Sequence, residues 1–241
     1  KFREPVHSLT NDVGNDPKEV GSTFNIKLTF NFDRGRILGK LVDNVWLENE
    51  EQGYILGTAT SYSLNGSPNN PAIMPVTVSQ SGPNTLYGTV TYLAGDQPKD
   101  SKNNDFGQKV PPGTSLPQST SFEGVYPYFY YKSKSPISAL AMQTAINEGR
   151  ATKVVGFSTD TFKIPPIDGD YLAIAYPETS PTKKLWYVTP LNSSPIPGGV
   201  LGEETILPCT SPGLWSNIKY KIHVSFGLLT EPNEIQLRNS I

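Results

Sequence analysis

Two stretches of strict alternation constrain this chain more than anything else in it. Between Thr23 and Phe30, Phe24, Ile26, Leu28 and Phe30 fall on one side, and Asn25, Lys27 and Thr29 on the other. Between Ile218 and Phe226, Ile218, Tyr220, Ile222, Val224 and Phe226 face one way, and Lys219, Lys221, His223 and Ser225 the other. A period of two sends successive side chains to opposite sides of an extended backbone, which suits a sheet with one buried face. Both stretches are therefore predicted strands, and His223 is predicted to lie on the solvent side of its own.

Between them the chain repeats the same grammar. Asp33-Arg34-Gly35 reads as a turn, and Val45-Trp46-Leu47 as a short strand followed by a loop from Glu48 to Gln52. Tyr54 to Leu64 alternates and ends at Asn65-Gly66, a dipeptide suited to positive φ and tight hairpins. Val76, Val78 and Leu86 to Tyr92 supply further strands around a Ser81-Gly82-Pro83-Asn84 turn. Strands separated by turns at roughly ten-residue spacing predict a β-sandwich.

Residues 100–121 carry Gly107, Pro111, Pro112, Gly113 and Pro117 with little apolar periodicity, and read as a linker or long loop. A second domain then opens on Phe122 to Ser135, where Tyr126, Tyr128, Phe129, Tyr130 and Tyr131 crowd together. One helix follows. Ser135 is its expected N-cap, Pro136 its first residue, where a missing N–H costs nothing, and Gly149 its C-terminal cap. Later strands are expected at Lys153–Phe157, Thr161–Ile164, Tyr171–Tyr176 and Lys184–Thr189. A loop is expected over Pro190 to Gly202, and Glu234–Arg238 at a sheet edge. The expected fold is mainly β: two β-sandwich-like domains, the second with one short α-helix. The expected division is an extended N-terminal arm over 1–20, an Ig-like sandwich over 21–99, the linker, and a C-terminal sandwich over 122–241.

Composition narrows the function classes. The net charge of -2 gives no electrostatic footprint for nucleic acid. No apolar run approaches the ~20 residues of a membrane-spanning helix. One cysteine, Cys209, allows no internal disulfide. With two histidines, His7 and His223, no zinc spacing is present, and there is no GxSxG elbow. Gly35 to Gly39 lacks the Lys-Ser/Thr of a phosphate loop. Asp168-Gly169-Asp170 reads as a turn entering a strand rather than a calcium loop. Glu48, Glu50, Glu51, Glu203 and Glu204 read as solvated charges. No catalytic residue, metal ligand or cofactor is expected.

Several segments resemble a recurrent module of tailed-bacteriophage virion proteins. They are EVGSTFNIKLTFNFDRGRI, GYILGTATSYSLNGS, TLYGTVTYLAGDQPKDSKNN, PPGT, FEGVYPYFYYKSKSP, DYLAIAYP and YKIHVSFGLLT, spanning about residues 18 to 230. Cys209 and the Pro-rich stretch over 190–202 have no counterpart in that pattern. The resemblance implies a non-enzymatic part of a tail, baseplate or fibre, located in the virion, whose partners are copies of itself and other virion proteins. A polar arm carrying Phe2, Val6 and Leu9 would then embrace a neighbouring subunit. The rival reading is a carbohydrate-binding or receptor-binding domain for a host surface glycan. It expects exposed aromatic faces at Trp186, Tyr187 or Trp215, since flat rings stack on sugars. A glycan hydrolase would need two carboxylates ~5–9.5 Å apart in a cleft, for which sequence spacing gives no sign.

Overall fold

The computed structural model describes residues 2–14, 16–37, 40–42, 45–47, 54–99, 104–105, 107–156, 161–164, 170–180, 184–188, 193–195, 204–227 and 234–238. For residues 2, 37, 40–42, 45–47, 161–164, 184–188, 193–195 and 234–238 only the backbone is described. The fold is mainly β, with several sheets and one helix among the described residues.

The chain forms two compact units, and neither is a continuous stretch. Unit 1 comprises Lys1–Gly14, Phe24–Val76 and Thr85–Phe122; unit 2 comprises Asn15–Thr23, Thr77–Asn84 and Glu123–Ile241. This corrects the expected sequential division. The linker predicted over 100–121 is partly sheet: Gly113–Thr114 pairs with Thr91 and Tyr92, and Gln118–Val125 is a strand.

Unit 1 is a sandwich. One sheet orders Val6–Asn11, Thr23–Asp33 and Ala72–Thr77. In the other, Gly82–Tyr92 lies among Ala59–Leu64, Gly113–Thr114 and Gln118–Val125. The expected alternation along Thr23–Asp33 holds, with Ile26, Leu28 and Phe30 buried. The inner faces meet at Gly88, where an added Cβ would lie 2.9 Å from Leu64, 3.1 Å from Leu9 and 3.2 Å from Phe30. The Asn65-Gly66 turn forms as expected, with φ of 49° and 89° and Leu64 and Ser67 exchanging backbone hydrogen bonds. Asn70 extends the sheet chemistry with its side chain. Its Oδ1 accepts from Phe30 N, and its Nδ2 donates to Phe30 O, each at 2.9 Å.

The predicted arm is not free. Val6–Asn11 pairs antiparallel with Thr23–Asp33 in the register Val6↔Asp33 to Asn11↔Leu28. Leu9 is buried in the core, Val6 is exposed, and Phe2 pairs its backbone with Ile37. The reason is backbone economy: Thr23–Asp33 needs a partner along that side, and the polar residues of 6–11 serve as a half-exposed strand.

Unit 2 is built on an antiparallel sheet ordered Thr152–Val154, Tyr128–Ser133, Tyr171–Pro177, Trp215–Val224 and Thr205–Ser211. The central strand Tyr171–Pro177 is buried from Leu172 to Pro177 on both faces, as its unbroken apolar run requires. The helix is Ala139–Asn147, shorter than predicted. Its N-cap is Ser138, whose Oγ accepts from Ala141 N at 3.1 Å, so Pro136 lies before the cap. Ile137 at N′ and Met142 at N4 are both buried, occupying the positions of a hydrophobic staple. Gly149 ends the helix at φ 71°, as expected. Lys18–Glu19 adds parallel to the end of Gln118–Val125, with Lys18↔Gly124 and Glu19↔Val125. The strand Glu234–Arg238 pairs on both sides, with Thr161–Ile164 and with Lys184–Val188, so it is interior rather than an edge. Ser193–Pro195 is a strand within the predicted 190–202 loop; the rest of that loop, the 48–52 loop, Asp168 and Gly169 lie outside the described residues.

Candidate functional site

Unit 2 gathers titratable side chains on one face of its sheet. Tyr128, Tyr176 and His223 come from three neighbouring strands and stack in a row. Ring centroids are 6.2 Å apart for Tyr128–Tyr176 and 5.7 Å for Tyr176–His223, the latter pair inclined by 17°. The Tyr176 hydroxyl lies 3.0 Å from His223 Nε2. Glu204 Oε2 is 3.7 Å from the same nitrogen, and Lys221 Nζ is 3.4 Å from Glu204 Oε1. Burial, reinforced by Glu204 and Tyr128, pushes the Tyr176 phenol well above its ordinary range. The phenol and His223 Nε2 share a hydrogen bond whose direction is set by the imidazole tautomer. Tyr128 and Ser180 share a hydroxyl–hydroxyl bond beside it. This corrects the sequence reading of His223: its side chain is 15% exposed, between a phenol and a carboxylate. Glu204, predicted as a solvated charge, is half-engaged by Lys221 and His223. Chemically the row is a set of mutually satisfied groups holding neighbouring strands in register.

A second polar node lies elsewhere in unit 2. Glu19 is buried, with Oε1 accepting from Trp215 Nε1 at 3.2 Å and from Ser211 Oγ at 3.3 Å. Lys153 Nζ is 2.7 Å from Oε2. Trp215 stacks on Tyr220 at 5.6 Å and 9°, with Phe129 and Tyr126 against it. At 8% exposure Trp215 offers no face to a glycan, which corrects that candidate. A Trp between tyrosines and a strand is as well suited to a core as to a platform, and here the core holds it. Trp186 and Tyr187 lie in the strand Lys184–Val188, and their side chains are outside the described residues.

Two concavities of the described surface each lie within one unit. In unit 2, Tyr131, Ser133, Pro136, Ile137, Ala141, Thr144 and Arg150 line about 280 Å³. Arg150 lies over the Tyr131 ring at 5.8 Å and is engaged by Glu148 at 2.7 Å. In unit 1, Ser63, Asn65, Gly66, Tyr87, Gly88, Thr89 and Pro117 line a groove of about 410 Å³. The strand pairing Thr89↔Ser63 puts their hydroxyls side by side on the outer face, and the Asn65 turn is tied to it by Asn65 N donating to Tyr87 O at 2.8 Å. Tyr87 is 57% exposed. Sequence reasoning passed over Tyr87, because one aromatic in an alternating strand does not reveal which face meets solvent.

Asp170, half of the predicted Asp-Gly-Asp turn, forms an ion pair with Lys134 at 2.9 Å. Among the described residues no cluster of His, Cys, Asp or Glu could hold a metal ion, and no helix is long and apolar enough to cross a membrane. A scan against protein-family models, a search of curated proteins and a search of solved structures each returned no match.

Proposed function

We propose that this chain is a non-enzymatic structural component of a tailed-phage virion, part of a tail, baseplate or fibre, that assembles with copies of itself and other virion proteins. One observation carries the reading: the segments behind the resemblance are paired strands of the sheets. GTATSYSLNGS supplies the strand Ala59–Leu64 and its turn, TLYGTVTY lies within Gly82–Tyr92, and DYLAIAYP contains the central strand Tyr171–Pro177. The likeness therefore falls on the framework of the fold, where a structural module would keep it.

The mode of assembly follows from the sheet ends. The end strands Ala72–Thr77 and Thr205–Ser211 contain Pro75 and Pro208. Proline lacks an N–H and blunts an edge against further strand pairing. At these two ends, contacts between copies run through side chains such as exposed Ile73 rather than through strand addition, while the opposite ends, Val6–Asn11 and Thr152–Val154, carry no proline.

Immunogold electron microscopy with an antibody against residues 122–241, applied to particles of the phage encoding the chain, tests this. Label on the tail, baseplate or fibres is the expected result. No label on intact or disrupted particles would remove the virion assignment.

A further inference from the structure

We infer that the groove around Tyr87 in unit 1 is a binding site for a neutral saccharide. The inference goes beyond the virion reading and stands on the groove alone. Three features point to it.

The first is an aromatic face at the right place. Tyr87 projects from the outer side of Gly82–Tyr92 and is 57% exposed, and Pro117 forms part of the same wall. A pyranose ring has an apolar C–H face that packs on a flat aromatic surface. The second is unspent hydrogen-bonding capacity. Ser63 Oγ, Thr89 Oγ1 and the Tyr87 hydroxyl have no hydrogen-bond partner among the described residues, and Asn65 makes only a 3.9 Å contact from Nδ2 to Met74 Sδ, leaving its Oδ1 open. A few placed polar groups beside an apolar surface are what small-ligand sites use for orientation. The third is charge: none of the lining residues is ionisable except the Tyr87 phenol. An anionic ligand such as a nucleotide would find no counter-charge there.

A peptide fits the groove less well. The floor strand Gly82–Tyr92 is already paired with strands on both sides, so a peptide cannot add to it by backbone pairing. The side-chain hydroxyls, the Asn65 amide and the ring remain on offer, and these match hydroxyl groups presented around a sugar.

The test uses the whole chain on an array of neutral oligosaccharides built from glucose, galactose, mannose and N-acetylglucosamine, with binding to the best of them quantified by calorimetry. Tyr87→Ala is expected to weaken that binding about tenfold or more, a change of about 1.4 kcal/mol. Tyr87→Phe keeps the ring but loses the hydroxyl, and is expected to weaken binding less than Tyr87→Ala. Thr89→Val is expected to weaken it without loss of the stack. Unchanged circular dichroism and melting temperature show that Tyr87→Ala still folds. A Tyr87 ring resonance that shifts on titration with the bound sugar locates the contact. Absence of binding to every neutral glycan overturns the proposal. Binding that survives Tyr87→Ala places the sugar elsewhere and overturns this site. Capture of peptides or acidic glycans through Tyr87, with neutral sugars inert, overturns the ligand class.

Discussion

Glu19 Oε1 lies 3.2 Å from Trp215 Nε1, joining residues 196 positions apart. The carboxylate also takes Ser211 Oγ and Lys153 Nζ, so one side chain from a two-residue strand satisfies three donors. Removing one partner of such a node leaves the others buried and unpaired, which costs more than the pair itself contributes. Glu19→Ala is expected to destabilise unit 2 by about 3 kcal/mol, the lower end for a buried pair because Lys153 retains some solvent. Glu19→Gln is expected to cost less, since its amide oxygen still accepts from Trp215. Urea unfolding followed by tryptophan emission measures both; equal stability of Glu19→Ala and wild type would refute the assignment.

Gly124 has no room for a side chain. A Cβ there would sit 2.0 Å from Gln80 O and 2.7 Å from Asn84 Nδ2. Asn84 is itself buried and committed: its Oδ1 accepts from Ser79 N and Oγ, and its Nδ2 donates to Gln80 O and Gly82 O. Neither neighbour can retreat without breaking those bonds. Gly124→Ala is expected to cost about 3 kcal/mol, the upper end for overpacking. Thermal unfolding reads it; a melting temperature equal to wild type would refute the crowding.

His7 holds an unsatisfied atom. Its ring stacks on Phe32 at 4.9 Å, and its Nδ1 is buried without a hydrogen-bond partner among the described residues. An orphaned buried nitrogen carries a desolvation penalty of about 1–3 kcal/mol. His7→Phe removes the penalty and keeps the stack, so it is expected to raise stability by about 1 kcal/mol. A loss of stability on this substitution would mean that Nδ1 has a role the contacts do not reveal.

Alkaline pH is expected to weaken the fold. Burial pushes the Cys209 thiol from its ordinary 9.0 up to about 12, and burial raises the Tyr220 phenol in the same direction. The unfolded chain gives up these protons first, so the stabilisation is complete below about pH 9 and is lost as pH rises toward 12. One group contributes a slope of about 1.4 kcal/mol per pH unit in that window. Cys209→Ala is expected to flatten the decline without abolishing it, because Tyr220 and Tyr176 remain. Urea unfolding at pH 8 and pH 10.5 compares the two chains, and thiol reagents should modify native Cys209 only as the protein unfolds.

Local residue patterns dictate the class of structure and many of its parts. The alternation from Phe24 to Phe30, the Asn65-Gly66 turn, the Gly149 cap and the apolar run Tyr171–Tyr176 each state a local backbone preference in a few adjacent residues. The tertiary structure decided which strands are neighbours and which polar groups are buried. It made Val6–Asn11 a strand of the first sheet instead of a free arm, placed Trp215 in a core, enclosed His223 beside Tyr176, and brought Tyr87 and Pro117 to one groove. These outcomes depend on pairings between residues far apart, such as Glu19 with Trp215. A period of two shows that a strand has two faces; only the packing of other strands against one of them decides which face meets water.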